Sequence, residues 1–199
     1  MSIAQKSNFW LNPAFEPKRQ FRFLVQMSLD GQDLTFLAKT ASRPSYEISE
    51  NPHQFFNHTF YYPGRMTWNT VEITLVDPVQ PNGAQLLYNY LSKVGVQVPV
   101  SFNAAVGTTI TKDSATSALG DIKIQEIATP VGGGSNTSQI EGEWKLINAF
   151  FTNVNFGSHD YGAEEMVDIS LTVRYDWAEY DLKSRGSQLD TLKEQDLIR

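Results

Sequence analysis

Three histidines, His53, His58 and His159, and no cysteine make up the soft-ligand inventory of this 199-residue chain. Metal binding or general-base catalysis is the chemistry such residues offer. His53 and His58 stand five apart, and on one extended strand an odd separation puts two side chains on opposite faces, whereas a shared metal needs an even one. They read as surface or interface histidines. Ser158-His159-Asp160 contains the residue types of a catalytic triad, but triads are assembled from separate segments, and no G-x-S-x-G elbow occurs. Gly132-Gly133-Gly134-Ser135 lacks the downstream lysine and helix of a phosphate loop and reads as a linker. The pairs Glu164/Glu165 and Glu179/Asp181 would need one buried, shifted member for acid–base work and read as solvated. The expectation is therefore no enzyme, with no catalytic residue, cofactor or metal.

Aromatic side chains are the stronger signal. Phe55, Phe56, Phe60, Tyr61 and Tyr62 crowd one short stretch with Arg65 as the nearby cation, too little positive charge for a base-stacking platform. The run from Phe55 to Pro78 reads as two strands around a Pro63-Gly64 turn. Before that turn, Phe56, His58, Phe60 and Tyr62 share one face, and Phe55, Asn57, Thr59 and Tyr61 the other. After it, Val71, Ile73 and Leu75 oppose Glu72 and Thr74, as in a sheet packed on one face. A strand aromatic on both faces needs cover on both, and another subunit is expected to supply it. Phe55, Phe56, Phe60, Tyr61, Tyr62 and Arg65 are thus the expected inter-subunit residues.

The elements that would position this stretch follow from periodicity. Residues 1–17 read as an N-terminal arm. Phe21, Phe23, Val25 and Met27 form one face of a first strand, Asp30-Gly31 a tight turn, and Leu34–Thr40 the returning strand. Residues 45–62 read as a long irregular hairpin arm with Pro52 at a bend or edge. Asn82 caps a helix carrying Leu86, Leu87, Tyr90, Leu91 and Val94 until Gly95 stops it, the one convincing core helix. Residues 103–120 read as a loop or insertion, a short strand follows near Ile122 and Ile124, and 131–139 reads as a flexible connector. Trp144 to Phe151 reads as one strand covered on both sides, and Val167 to Trp177 as one unbroken central strand. Residues 179–199 form a charged tail with a weak Leu189, Leu192, Leu197 stripe. The predicted class is mainly β: two packed antiparallel sheets, a sandwich or partly closed barrel, with one flanking helix.

Composition narrows function further. Hydrophobic residues make up 41% and charged residues 19%, which fits one domain with a real core. Acids outnumber bases 22 to 16, for a net charge of −6, so adhesion to DNA is not expected and repulsion from it is. The opening residues lack a basic-then-apolar signal pattern, and no stretch approaches the roughly 18 to 20 apolar residues of a membrane span. A soluble, unsecreted product without membrane contact is the expectation.

Several pieces, in this order, resemble the tail tube proteins of contractile-tailed, myovirus-type bacteriophages: FRFLVQM, GQDLTFLAKTASRP, HQFFNHTFYYPGRMTWNTVEITLVDP, PNGAQLLYNYL, GEWKLINAFFTNVNFG and MVDISLTVRYDW. The resemblance covers residues 18–178, with YYPGR followed by a Trp, and VEITLVDP, as its most specific parts. It implies hexameric rings stacked into a hollow tube, a fold related to type VI secretion inner tubes, and strands lent to a continuous inner barrel. It also implies partners: other copies of the chain, a contractile sheath, a tape-measure protein, and baseplate and neck tube proteins. DNA would pass through without specific binding, in a virion tail assembled in the host cytoplasm. Glu72 and Asp168, on polar strand faces, are the candidate lumen-facing acids. A single-ring tube initiator or terminator is the nearest alternative, and a monomeric carbohydrate-binding β-sandwich a more distant one.

Overall fold

Val71, Ile73 and Leu75 alternate with exposed or half-buried residues on one strand, as do Ile169, Leu171 and Val173 on its neighbour, and all six are buried. That period of two dictates a sheet with one dry face, which must find a second dry face to pack on. The computed structural model describes residues 17–29, 32–34, 38–80, 82–96, 109–128, 139–162 and 164–182. Its strands are β1 (Phe23–Gln26), β2 (Ser28–Leu29), β3 (Gln32–Asp33), β4 (Ala38–Ala41), β5 (Tyr46–Phe55), β6 (His58–Trp68) and β7 (Val71–Val76). Helices α1 (Gly83–Val94) and α2 (Lys112–Leu119) follow, then β8 (Ile122–Ala128), β9 (Gln139–Ile147), β10 (Phe150–Asn155), β11 (Asp168–Arg174) and β12 (Trp177–Leu182).

Two four-stranded antiparallel sheets result, ordered β1-β8-β9-β12 and β10-β11-β7-β4. Val25, Ile122, Ile124 and Leu146 of the first meet the β7 and β11 residues of the second in one core. The expected mainly β, two-sheet class is the observed one, with two helices among the described residues rather than one. On α1, the Asn82 side chain accepts from the Gln85 amide at 2.9 Å and Gly95 takes φ 106, the expected start and stop. The second helix lies inside the expected 103–120 loop: Thr111 and Ser114 form a reciprocal capping box, which Ser/Thr-rich composition disguises as loop. Tyr90 joins the helices by donating to the Ala115 carbonyl at 3.3 Å.

Two long strands of the sequence reading are each split between the sheets. The Trp144–Phe151 run breaks where Asn148 takes φ 54, so β9 ends in one sheet and β10 begins in the other. The Val167–Trp177 run breaks at Tyr175 and Asp176, so Trp177 opens β12 in the opposite sheet. Unbroken alternation does not mark such a corner, because both sheets present dry faces to the same core. Likewise, β1 pairs with β8 rather than with the returning strand, β4 pairs with β7, and β12 carries four residues of the expected 179–199 tail. The Asp30-Gly31 turn, the 131–138 part of the connector, residues 1–16 and the leucine stripe beyond residue 182 lie outside the described residues.

Candidate assembly interface

The β4–β7 ladder continues past the sandwich as the β5–β6 hairpin. At the seam the Ser42 amide donates to the Glu72 carbonyl at 2.9 Å, and the Asn69 amide to the Ser45 carbonyl at 2.8 Å. Beyond it the strands pair from Tyr46–Trp68 to Phe55–His58, and nearly every residue is exposed. Ten residues of strand reach about 30 Å at ~3.3 Å per residue. An isolated two-stranded ribbon is marginal in water.

Its turn is at Phe56 and Asn57, with Phe56 at φ 52, not at the expected Pro63-Gly64. Pro63 is accommodated inside β6 because the arm is not part of a larger sheet, and Gly64 sits at a bulge. There a Cβ would run into Ser49 Oγ and lie 2.9 Å from the Ser49 carbonyl oxygen, while the Arg65 amide donates to Ser49 Oγ at 3.0 Å.

Moving the turn changes which residues share a face. Phe55 pairs with His58 and His53 with Phe60, so both histidines lie on one face of the hairpin, together with Phe60 and Tyr62. The sequence reading put them on opposite faces by assuming a single strand. His58 and Phe60 stack edge to face at 4.8 Å. Tyr61 pairs with Pro52 on the other face. Phe56, 89% exposed, stands at the tip edge-on to Phe55 at 4.5 Å. The structure thus brings Phe55, Phe60 and Tyr62 together, separates Tyr61 from them, and leaves Arg65 at the bulge.

Residues nearer the root were missed. Tyr46 pairs with Trp68 and Ile48 with Met66, an apolar strip whose symmetry about Phe56-Asn57 is the signal that finds it. Trp68 lies 5.5 Å from Tyr46 and 5.9 Å from buried Tyr175, coupling arm to core. Met66, Trp68, Ile110, Phe150 and Tyr175 line a cavity of about 600 Å³ beneath the root.

The outer face of the second sheet is different in kind. In register across it lie Asn153, Thr172 and Glu72, then Asn155, Ser170, Thr74 and Thr40. Glu72 is exposed. Asp168 is half-buried, with Lys39 Nζ on its Oδ2 at 2.5 Å and its Oδ1 buried without a partner. Hydroxyl and amide groups fill the middle of this face, with Arg174 and Lys39 as cations toward its two ends. Of the remaining acids, Asp160 Oδ1 accepts from the Gly162 amide at 2.9 Å, which uses the carboxylate of Ser158-His159-Asp160 in a local turn.

Chains of similar overall fold occur in solved assemblies. A chain of the anti-feeding prophage baseplate superposes with TM-score 0.60 at 11% identity, over 86% of this chain and 99% of its own. The fold of that chain is therefore also the fold of this one. A chain of the sheath/tube terminator of an extracellular contractile injection system matches the fold at TM-score 0.56 and 14% identity, over 84% of this chain and 98% of its own. One from the extended sheath-tube complex of that system matches at 0.53 and 17%, over 85% and 95%. No protein-family model and no curated protein matches the sequence. The fold is therefore shared with chains that are only 11–17% identical to this one.

Proposed function

We propose that this chain is a structural tube subunit of a contractile tail, forming hexameric rings that stack into a hollow tube inside a sheath. The observation that carries this reading is the exposed aromatic hairpin, a surface that a free monomer would leave wet and that a neighbouring copy would cover. Each buried Phe or Tyr removes roughly 150–250 Å² from water, so the cluster of Phe55, Phe60 and Tyr62, with Phe56 at the tip, suffices for an interface core. Tyr61 and Arg65 belong to the opposite face and the bulge of the same contact.

In such a ring the polar outer face of the second sheet faces the lumen, with Glu72 as its open acid and Asp168 as one already paired with Lys39. Six subunits at −6 each bring −36 formal charges to a ring. DNA moving past a ring of this net charge meets overall repulsion. A tape-measure protein inside, a sheath outside, and baseplate and neck tube proteins at the ends complete the partners of this reading. It places the chain in a phage-type tail assembled in the host cytoplasm.

Negative-stain electron microscopy of purified protein tests it: long tubes are expected, and folded monomers that bind glycans would overturn it. Phe60→Asp with Tyr62→Asp should leave folded monomers, and tubes formed by that variant would remove the arm from the interface. A second reading, a single-ring terminator or initiator, is favoured by the likeness to baseplate and terminator chains, and isolated rings in the same images would select it.

A further inference from the structure

We propose that His53 and His58 together form a clamp for one divalent cation of the Zn²⁺ or Ni²⁺ kind, held across the two strands of the arm. The two residues come from different strands, His53 from β5 and His58 from the first position of β6. Pairing is unbroken from Glu50–Pro63 to Phe55–His58, with His53 opposite Phe60. His58 stands two residues before Phe60, so it shares the face of His53 and lies diagonally across from it. Diagonal neighbours of an antiparallel pair are ~7–8 Å apart, with their Cβ atoms somewhat closer. A zinc–imidazole bond is ~2.0–2.1 Å long, so two rings leaning toward each other from these positions can meet on one ion.

The surroundings suit that role. The His58 and Phe60 rings are 4.8 Å apart, less than the ~6.6–6.8 Å between alternate residues of a strand, so they incline together along β6. That contact lies on the side of His58 that faces the row His53 shares with Phe60. Both histidines are exposed, so neither ring is wedged into a core and both can turn. Paired imidazoles select Zn²⁺, Ni²⁺ or Cu²⁺ over Mg²⁺ and Ca²⁺, which take oxygen ligands. The two ligands converge only while β5 and β6 are paired in this register, so a bound ion favours the paired ribbon by mass action. A ribbon that is marginal alone thereby gains a cross-link close to its tip. The clamp lies within one chain and does not depend on the ring reading.

Calorimetric titration of the full chain with zinc or nickel chloride tests this. One ion per chain is expected. His53→Ala and His58→Ala should each weaken binding about tenfold or more, because the second bond of a chelate forms intramolecularly, and the double change should cost little more than either. His53→Gln with Gln54→His keeps the number of histidines but moves one to the opposite face, and should lose binding to the same degree. Unchanged affinity in that shifted variant, independent half-losses in the single ones, or no binding by the wild type would overturn the clamp. Binding that depends on His159 and not on His53 or His58 would move the ion to another loop, and one ion per two chains would move it between copies; either result overturns the proposal. Should the shifted variant fail to fold by circular dichroism, the wild type decides: Zn²⁺ should slow amide hydrogen exchange several-fold across residues 53–60 and leave β7 and β11 unchanged. An arm whose exchange ignores the ion would overturn the clamp.

Discussion

Asn148 Nδ2 donates to Asp176 Oδ2 at 2.7 Å, tying together the two corners at which the chain passes from one sheet to the other. The Asp176 amide also donates to the Ile147 carbonyl at 3.0 Å, and Lys112 Nζ from α2 reaches the same Oδ2 at 2.5 Å. One carboxylate therefore binds both crossings and a helix.

Lys112 first, and then Asn148, hold the Asp176 carboxyl below its ordinary value. A folded-state pKa below the unfolded one contributes stability above the unfolded carboxylate range, and that contribution disappears as pH falls through the lowered value. Asp176→Asn is expected to cost about 1 kcal/mol at neutral pH, reduced by solvent screening because Lys112 is exposed. Urea denaturation of both proteins from pH 7 down to about 2 should show the gap closing on the acid side. A gap that widens there would refute the assignment.

Gly142 lies under the Tyr180 ring, whose Oη donates to Glu126 Oε2 at 3.2 Å, and a Cβ at position 142 would collide with that ring. Gly142→Ala should destabilise the fold by about 1–3 kcal/mol. In a Tyr180→Ala background the same change should cost much less, because its obstacle is gone. Equal costs in both backgrounds would contradict the steric account.

Gly64→Ala strikes Ser49 across the arm bulge, far from the packed sheets. Its thermal midpoint should stay close to wild type, while tube or ring yield falls. A large loss of stability without loss of assembly would show that the bulge serves the core instead.

Ile169 is fully buried between the sheets and Phe60 is exposed on the arm. Ile169→Ala should cost about 2–5 kcal/mol in denaturation, whereas Phe60→Ala should change stability by less than ~0.5 kcal/mol and act on assembly. The pair separates folding from association in one experiment.

The β7 strand, the α1 caps and the two-sheet class were legible in the sequence because each rests on local periodicity or on a single side chain such as Asn82. The corners were not, since Leu146 and Phe150, like Val173 and Trp177, keep an even spacing on either side of a change of sheet. The arm was found by its aromatics but given the wrong turn, because Pro63-Gly64 is a stronger local signal than Phe56-Asn57. That error alone misassigned the faces of His53 and His58. Only the register of β5 on β6 corrects it, and register is set by pairing rather than by either strand.

Because the arm extends the β4–β7 ladder instead of hanging from a loop, a pull on its tip runs along β7 into the middle of the second sheet. There the strand is held on both sides, by β4 and β11, with its hydrogen bonds lying across the line of force. Such rungs share the load and must give way together rather than unzip one by one. In the proposed ring, a load on the arm would therefore be carried by a strand paired on both sides.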